Sequence, residues 1–197
     1  MPSGKIIIIS GPSGSGKTTL HKKLLVSRCL KGKLVKSISA TTRPRRLGER
    51  SGRDYLFFPP QQFLYKIKAG HFLEWQKVFE NYYGTPRKNI ERLLKSGKNV
   101  LLCIDVKGAA VVRRDFPHAV SIFIQAPSFG VLKKRLISRG SETKEALKVR
   151  LQTARQELSE AKNYSYIVIN DDLEEAVIEL ESILTKELET PAGRGVI

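Results

Sequence analysis

The segment Gly11-Pro12-Ser13-Gly14-Ser15-Gly16-Lys17-Thr18 sits directly behind the apolar run Ile6-Ile7-Ile8-Ile9 and constrains the fold more than any other stretch of the chain. It is an intact G-x-x-x-x-G-K-[ST] pattern, in which glycines permit a tight turn from a strand into a helix. Such a turn aims several backbone N–H groups into one concavity at the helix N-terminus, where they attract phosphate oxygens. Lys17 would reach the β- and γ-phosphates of a nucleoside triphosphate, and the Thr18 hydroxyl would ligate Mg²⁺. The flanks agree with this. The Ile run suits a parallel strand covered on both faces, and Leu20, Leu24 and Leu25 recur at helical spacing after the loop. The simpler alternative is an ordinary glycine-rich strand-to-helix turn.

At 197 residues the chain can bury one good core with inserted subdomains, but hardly two independent domains. Hydrophobic residues make up 41% and charged residues 27%, the balance of a soluble globular protein. No stretch approaches the roughly 20 apolar residues of a membrane span. The N-terminal Ile run leads straight into the loop and does not read as a signal peptide. A soluble, cytoplasmic protein with no membrane partner is therefore expected, as a monomer or homodimer. Cys29 and Cys103 lie among apolar neighbours and read as reduced, buried thiols. His21, His71 and His118 are scattered without zinc spacing.

Lys and Arg number 35 against 19 Asp and Glu, a net charge of +16. That excess admits a nucleic-acid surface or sites for small, densely charged anions. The basic residues are spread along the chain and form no continuous stripe with interleaved aromatics. Their densest group, Arg43, Arg45, Arg46, Arg50 and Arg53, lies in a loop bearing glycine and proline. Local anion sites are the better reading, and no nucleic acid is expected as a specific partner.

Short β-branched runs at 5–10, 34–39, 99–106, 120–126 and 166–170 read as buried strands. Amphipathic stretches at 18–30, 89–96, 129–138, 144–162 and 173–188 read as helices. The alternation predicts an α/β fold, a five-stranded, mainly parallel sheet flanked by helices, with right-handed crossovers. Residues 40–86 break the rhythm with short extended pieces (54–58, 71–78) joined by turns, which suggests an inserted, partly β subdomain. We thus expect a core from 1–36, 91–126 and 160–188, an acceptor subdomain over 37–90, a helical lid over 127–159 and a loose tail over 189–197.

A phosphate loop alone does not name the phosphoryl acceptor, but the insertion does. Arg43 and Arg46 lie three residues apart beside Ser39, Thr41 and Thr42. Guanidinium forks with added hydroxyls suit a phosphate monoester. Glu74 follows in Phe72-Leu-Glu-Trp75, then Asn81-Tyr-Tyr83-Gly-Thr85. A carboxylate accepts from two donors at once, which guanine presents through N1–H and its amino group and adenine does not. Asp105 closes an apolar strand, where, with a phosphate loop present, an acid more often serves a Mg²⁺ site.

These motifs, together with Gly52-x-Asp-Tyr55, Ile104-Asp105, Arg135 to Gly140 and Ile167-Val-Ile-Asn170-Asp171, occur in an order that closely resembles the guanylate kinase family from about Lys5 to Leu188. The resemblance implies phosphoryl transfer from MgATP to GMP or dGMP. It further implies GMP phosphate or ribose contacts at Ser39, Arg43, Arg46, Tyr55 and Tyr83, and guanine readers at Glu74 and Thr85. Asp105 would lie where the two substrates meet. Arg135, Arg139 and Arg150 resemble lid arginines that close over the ATP phosphates, and Asn170 resembles a residue near the adenine.

Three positions depart from the family pattern. The arginine pair reads Arg43-Pro44-Arg45-Arg46 where Arg-x-Pro-Arg is usual, Cys103 replaces an acid, and Lys107 stands where glutamine is common. The chemistry fits the resemblance. A nucleotide phosphate is largely ionised at neutral pH, its second pKa being about 6, so it needs no general base. Alignment and charge cancellation are what remain to be supplied. Two alternatives stand beside this reading: a related phosphate-loop kinase with another acceptor, and a noncatalytic interaction module, the latter disfavoured by an intact Lys17.

Overall fold

Ile6 to Ile9 alternate between two layers, and this sets the architecture. In the computed structural model, which describes residues 4–78, 80–138 and 144–189, β1 (Ile6–Ser10) is the central strand of a sheet. Successive side chains of a strand point to opposite faces. Ile7 and Ile9 therefore enter one core cluster with Leu101, Ile122 and Ile124, whereas Ile6 and Ile8 enter another with Val100, Leu102 and Phe123. Helix α1 (Lys17–Val26) and helix α7 (Leu173–Glu189) cover the first face through Leu20, Leu24, Leu180 and Leu184. The second face is covered by α3 (Arg87–Lys95) and α4 (Val106–Asp115) through Ile90, Ala109 and Val112.

The sheet runs β2-β7-β1-β8-β9, formed by β2 (Leu34–Lys36), β7 (Asn99–Cys103), β8 (Val120–Gln125) and β9 (Tyr166–Ile169) with β1. All its pairings are parallel, as expected. β1 pairs with β7 on one side and β8 on the other, so the loop leaving β1 emerges at the carboxyl edge where strand order reverses, the usual ligand position in open α/β sheets.

The insertion forms a second sheet, β4-β3-β6-β5, from β3 (Ala40–Thr41), β4 (Leu56–Phe57), β5 (Phe72–Val78) and β6 (Asn81–Pro86). It has its own small core of Ala40, Phe63 and Phe72, with Phe63 stacked on Phe72 at 4.4 Å. Phe63 belongs to α2 (Pro60–Lys68), a helix where the sequence suggested only turns. Pro60 opens that helix, a favourable place for proline. α4 was likewise not anticipated. Its apolar start continues the β7 pattern, but Asp105 caps it, accepting from the Gly108 N–H at 2.7 Å.

The stretch expected as a lid holds α5 (Phe129–Ile137) and α6 (Lys144–Ser159), which share a small core of Leu132, Leu136 and Ala154. The turn read at Arg139-Gly140-Ser141 and the tail beyond 189 lie outside the described residues. The acceptor boundary read at residue 90 falls within α3, whose Ile90 packs in the main core. Cys29 is exposed, not buried as expected, because it lies in the turn beyond α1. Among the described residues no helix is long and apolar enough to cross a membrane.

His21 lies one turn beyond Lys17 and is only 6% exposed. Burial, helped by Lys36, lowers its pKa from 6.5 to about 4. Between those values the unfolded chain binds a proton that the folded chain rejects, so this contribution to stability is lost as pH falls through 6.5 towards 4. Glu74 on β5 has the opposite sign. Burial raises its pKa to about 7, so its contribution is lost as pH rises. The two offset each other in the wild type, and a variant isolates the histidine. The stability of His21→Leu relative to wild type, measured by urea unfolding, should increase by about 2 kcal/mol between pH 7.5 and pH 5. A constant difference across that range would mean that His21 ionises equally freely in both states.

Candidate active site

β1 ends at Ser10, and the chain then turns through Gly11 (φ 138°), Gly14 (φ 90°) and Gly16 (φ 95°) before α1 begins. Positive φ favours glycine, and crowding adds a second reason at two of these positions. A Cβ on Gly11 would lie 2.2 Å from the Ile124 carbonyl oxygen, and one on Gly16 would lie 2.1 Å from Asn170 Nδ2. α1 has neither a side-chain cap nor an acidic residue in its first turn, so its leading N–H groups keep their pull on an anion. Lys17 Nζ donates to the carbonyls of Gly11 at 2.6 Å and Pro12 at 2.8 Å, which holds the cation over the loop. Thr18 is exposed at the same end of the helix. Ser13 and Ser15 complete the turn, with the Ser15 N–H donating to the Pro12 carbonyl at 3.2 Å.

The loop is flanked by the ends of β7 and β9 and by α5. Cys103 pairs with Ile9, so Asp105 emerges beside Gly11. Asn170 is 5% exposed and donates from Nδ2 to the Ser15 carbonyl at 2.8 Å. Arg135 of α5 donates from Nη1 to the Asn170 carbonyl at 2.9 Å. α5 also touches the loop directly, since a Cβ on Gly14 would come within 3.2 Å of Leu136. On α6, Arg150, Ala154 and Glu157 follow one helical stripe. Burial raises the Glu157 pKa, against the pull of nearby Lys17. Arg139, expected beside Arg135, lies outside the described residues.

In the insertion, Arg43 Nη2 reaches both oxygens of Glu49, at 2.7 and 3.0 Å, and its guanidinium lies over Tyr55, 5.6 Å from the ring centroid. The Glu49 hydrogen bond is the main cause of the raised Arg43 pKa, and Tyr83 adds a smaller part. Tyr55 and Tyr83 meet edge to face at 6.2 Å. Arg43, Tyr55 and Tyr83 thus form one patch. Arg46 joins it through its backbone, donating to Glu49 Oε2 at 2.8 Å, while the residue itself is exposed. Ser39 is half-buried ahead of β3, its carbonyl accepting from the Leu56 N–H at 2.9 Å.

Glu74 is 6% exposed, and a register shift in β5 between Phe72 and Glu74 sets it opposite Thr85. The Thr85 hydroxyl donates to Glu74 Oε1 at 2.6 Å. Burial raises the carboxyl to about 7; the Thr85 hydrogen bond opposes that shift and Asp105 adds to it. Near neutral pH the group therefore passes between a protonated form, which can donate, and a carboxylate, which only accepts. Gly108 links this acid to Asp105. A Cβ there would sit 2.6 Å from Glu74 Oε2 and 3.4 Å from Asp105 Oδ1. Only a residue without a side chain lets α4 approach so closely.

The carboxylate that faces the insertion and the acid beside the phosphate loop are therefore neighbours across one glycine. Glu49, Gly108 and Glu157 were not singled out from the sequence. Asp105-x-x-Gly108 has helix-cap spacing and could have revealed α4, but nothing local marks Glu49 or Glu157. Among the described residues no group of three His, Cys, Asp or Glu could hold a metal ion by itself.

The guanylate kinase family model matches residues 3–187. The guanylate kinase of Carboxydothermus hydrogenoformans is 43% identical over 187 residues, covering 95% of this chain and 90% of the relative. That of Clostridium perfringens strain 13 is 45% identical over 184 residues, covering 93% and 84%. The crystal structure of guanylate kinase from Anaplasma phagocytophilum superposes with a TM-score of 0.77 at 35% identity, covering 96% of this chain and 88% of that one. A phosphate loop joined through Asp105 and Gly108 to a buried carboxylate, in a chain matched over nearly its whole length, belongs to the guanylate kinase family.

Proposed function

We infer that this chain transfers the γ-phosphoryl group of ATP to GMP, and more slowly to dGMP, giving ADP and the nucleoside diphosphate. The observation that carries the guanine assignment is Glu74, a buried carboxylate held by Thr85 on the facing strand and adjoining Asp105 across Gly108. As a carboxylate it accepts from the two neighbouring donors of guanine, and adenine leaves it unpaired in a buried site, where an unmet charge is costly.

On the acceptor side, Arg43 supplies the fixed cation, oriented by Glu49 and by the Tyr55 ring, with Tyr83 close by and Ser39 and Arg46 completing the phosphate contacts. On the donor side, the backbone of residues 11–18 and Lys17 hold the triphosphate, and Arg135, Arg139 and Arg150 of the lid neutralise charge on the transferring group. The acceptor phosphate attacks as an ionised oxygen and requires no base. A core, an acceptor-binding insertion ending ahead of α3 and a lid built on α5 and α6 would assemble the site only when both nucleotides are bound, which limits wasteful hydrolysis.

Mg²⁺ usually keeps several waters and takes one or two carboxylates plus substrate phosphates. The exposed Thr18 hydroxyl and the single carboxylate of Asp105, both beside the loop, suit that habit. When bound, the ion neutralises and orients the phosphates of ATP. We place the protein in the cytoplasm, in purine nucleotide metabolism.

Three outcomes test this reading. In a coupled ADP-release assay with MgATP, GMP should be turned over rapidly, dGMP more slowly, and AMP, CMP and UMP hardly at all; equal use of AMP would sink the guanine assignment. Lys17→Ala should lower kcat on the order of 100-fold or more with GMP binding retained. Glu74→Gln presents an amide to the base and should lower kcat/KM for GMP on the order of 100-fold, leaving the low value for AMP unchanged. It should also flatten the pH dependence of GMP binding around pH 7. If the ratio of GMP to AMP turnover is the same in Glu74→Gln and wild type, another residue reads the base.

A further inference from the structure

The two faces of the β5–β6 hairpin carry different chemistry. Glu74 and Gln76 pair with Thr85 and Tyr83 on the side of the acceptor site, so the alternate residues Trp75 and Lys77, opposite Gly84 and Tyr82, belong to the back face. There an aromatic row runs from the interior to the surface. Phe72 stacks on Phe63 at 4.4 Å, Phe63 stacks on Tyr82 at 5.7 Å, and Tyr82 meets Trp75 at 6.1 Å. Phe63 is fully buried, whereas Trp75 is 42% exposed. Gly84 brings no side chain to cover the indole from the paired strand, and Lys77 stands beside the row, its Nζ 5.9 Å from the Tyr82 ring centroid. We propose that this back face is a sequence-independent binding surface for single-stranded nucleic acid, on which a base extends the aromatic row at Trp75 and a neighbouring phosphate meets Lys77.

Charge and shape together select that occupant. A half-exposed indole at the end of a row of rings offers a flat face, and every base has a matching one, so stacking demands no particular sequence. A cation beside it suits a ligand in which phosphates recur next to bases. Six of the 35 Lys and Arg are assigned to the two nucleotides of the reaction, which leaves 29 against 19 Asp and Glu. That excess draws a polyanion to the protein, and α2, which carries Phe63, contributes Lys66 and Lys68 from its last turn. A second exposed aromatic, Tyr65 of α2, meets His71 edge to face just ahead of β5. The linear order disperses this pairing of cations with rings, because Tyr82 comes from the strand facing Lys77 and Phe63 from a separate helix. An anionic membrane would satisfy the charge but has no ring to extend the row.

Trp75 is the one tryptophan of the chain, so its fluorescence reports on this surface directly. We would titrate wild type with a short single-stranded oligothymidylate, keeping GMP and MgADP saturating so that the active site is occupied. Binding with quenched Trp75 emission and a loss of affinity at high salt is expected. For the variants, affinity is read from the anisotropy of a labelled oligonucleotide. Trp75→Ala should weaken binding roughly tenfold, and Trp75→Phe should recover most of that loss, with GMP turnover unchanged in both. Lys77→Glu, an exposed change, should weaken binding several-fold and flatten its salt dependence, and it carries the test if the alanine variant does not fold. Absence of binding overturns the proposal, as does binding without quenching of Trp75. Binding that GMP and MgADP abolish belongs to the active site and overturns it too. Heparin and phosphatidylserine vesicles supply charge without bases; if their affinity falls in Trp75→Ala as much as that of the oligonucleotide, the surface does not stack bases and the proposal fails.

Discussion

The two-sided burial of β1 is the constraint on which the rest of the molecule depends. Ile6 and Ile8 on one face and Ile7 and Ile9 on the other are at most 3% exposed, so neither neighbouring strand nor covering helix can shift without opening a core cluster. Full burial of one such side chain is worth about 1.5–3 kcal/mol. The chain leaving that strand has no choice of exit. Gly11 emerges at the carboxyl edge of the sheet centre, hemmed by Ile124 of β8, and the phosphate loop inherits its position from the strand.

The same rigidity lets distant residues share the loop. β7 delivers Asp105 and β9 delivers Asn170 to the edge where β1 ends. Helices α5 and α6 bring Leu136 beside Gly14, Arg135 onto the Asn170 carbonyl and Glu157 near Lys17. In the insertion the supporting residues are themselves charged. Arg43 is oriented by Glu49, and Glu74 is desolvated between Thr85 and Gly108, which makes its proton affinity responsive near neutral pH. Charges placed in this way need little reorganisation when a charged substrate arrives, which is the main catalytic resource of a phosphoryl-transfer enzyme.

Much of the fold was legible in the chain. The five core strands, the helices α1, α3, α5, α6 and α7 and a partly β insertion were readable from periodicity, because buried parallel strands and amphipathic helices have distinct repeats. α2 and α4 escaped for different reasons. α2 covers a small core of its own, with Phe63 as its only buried side chain, so its apolar stripe is thin. α4 starts with an apolar stretch that continues the β7 pattern, and only the Asp105 cap separates strand from helix.

The sequence by itself determined the strand, the glycine turn, the lysine and the charged residues proposed for the two nucleotides, because each of these depends on a local pattern or a motif. Tertiary structure alone decided their partners. Ser15 and Asn170 are 155 residues apart in the chain, and Glu74, Gly108 and Asp105 meet only where β5 lies against α4. A hydrogen bond of this kind depends on angstrom-scale placement by separate elements, and no periodicity in the chain encodes it. For the same reason the motif that holds Asn170 gives no sign that its Nδ2 donates to the Ser15 carbonyl of the phosphate loop.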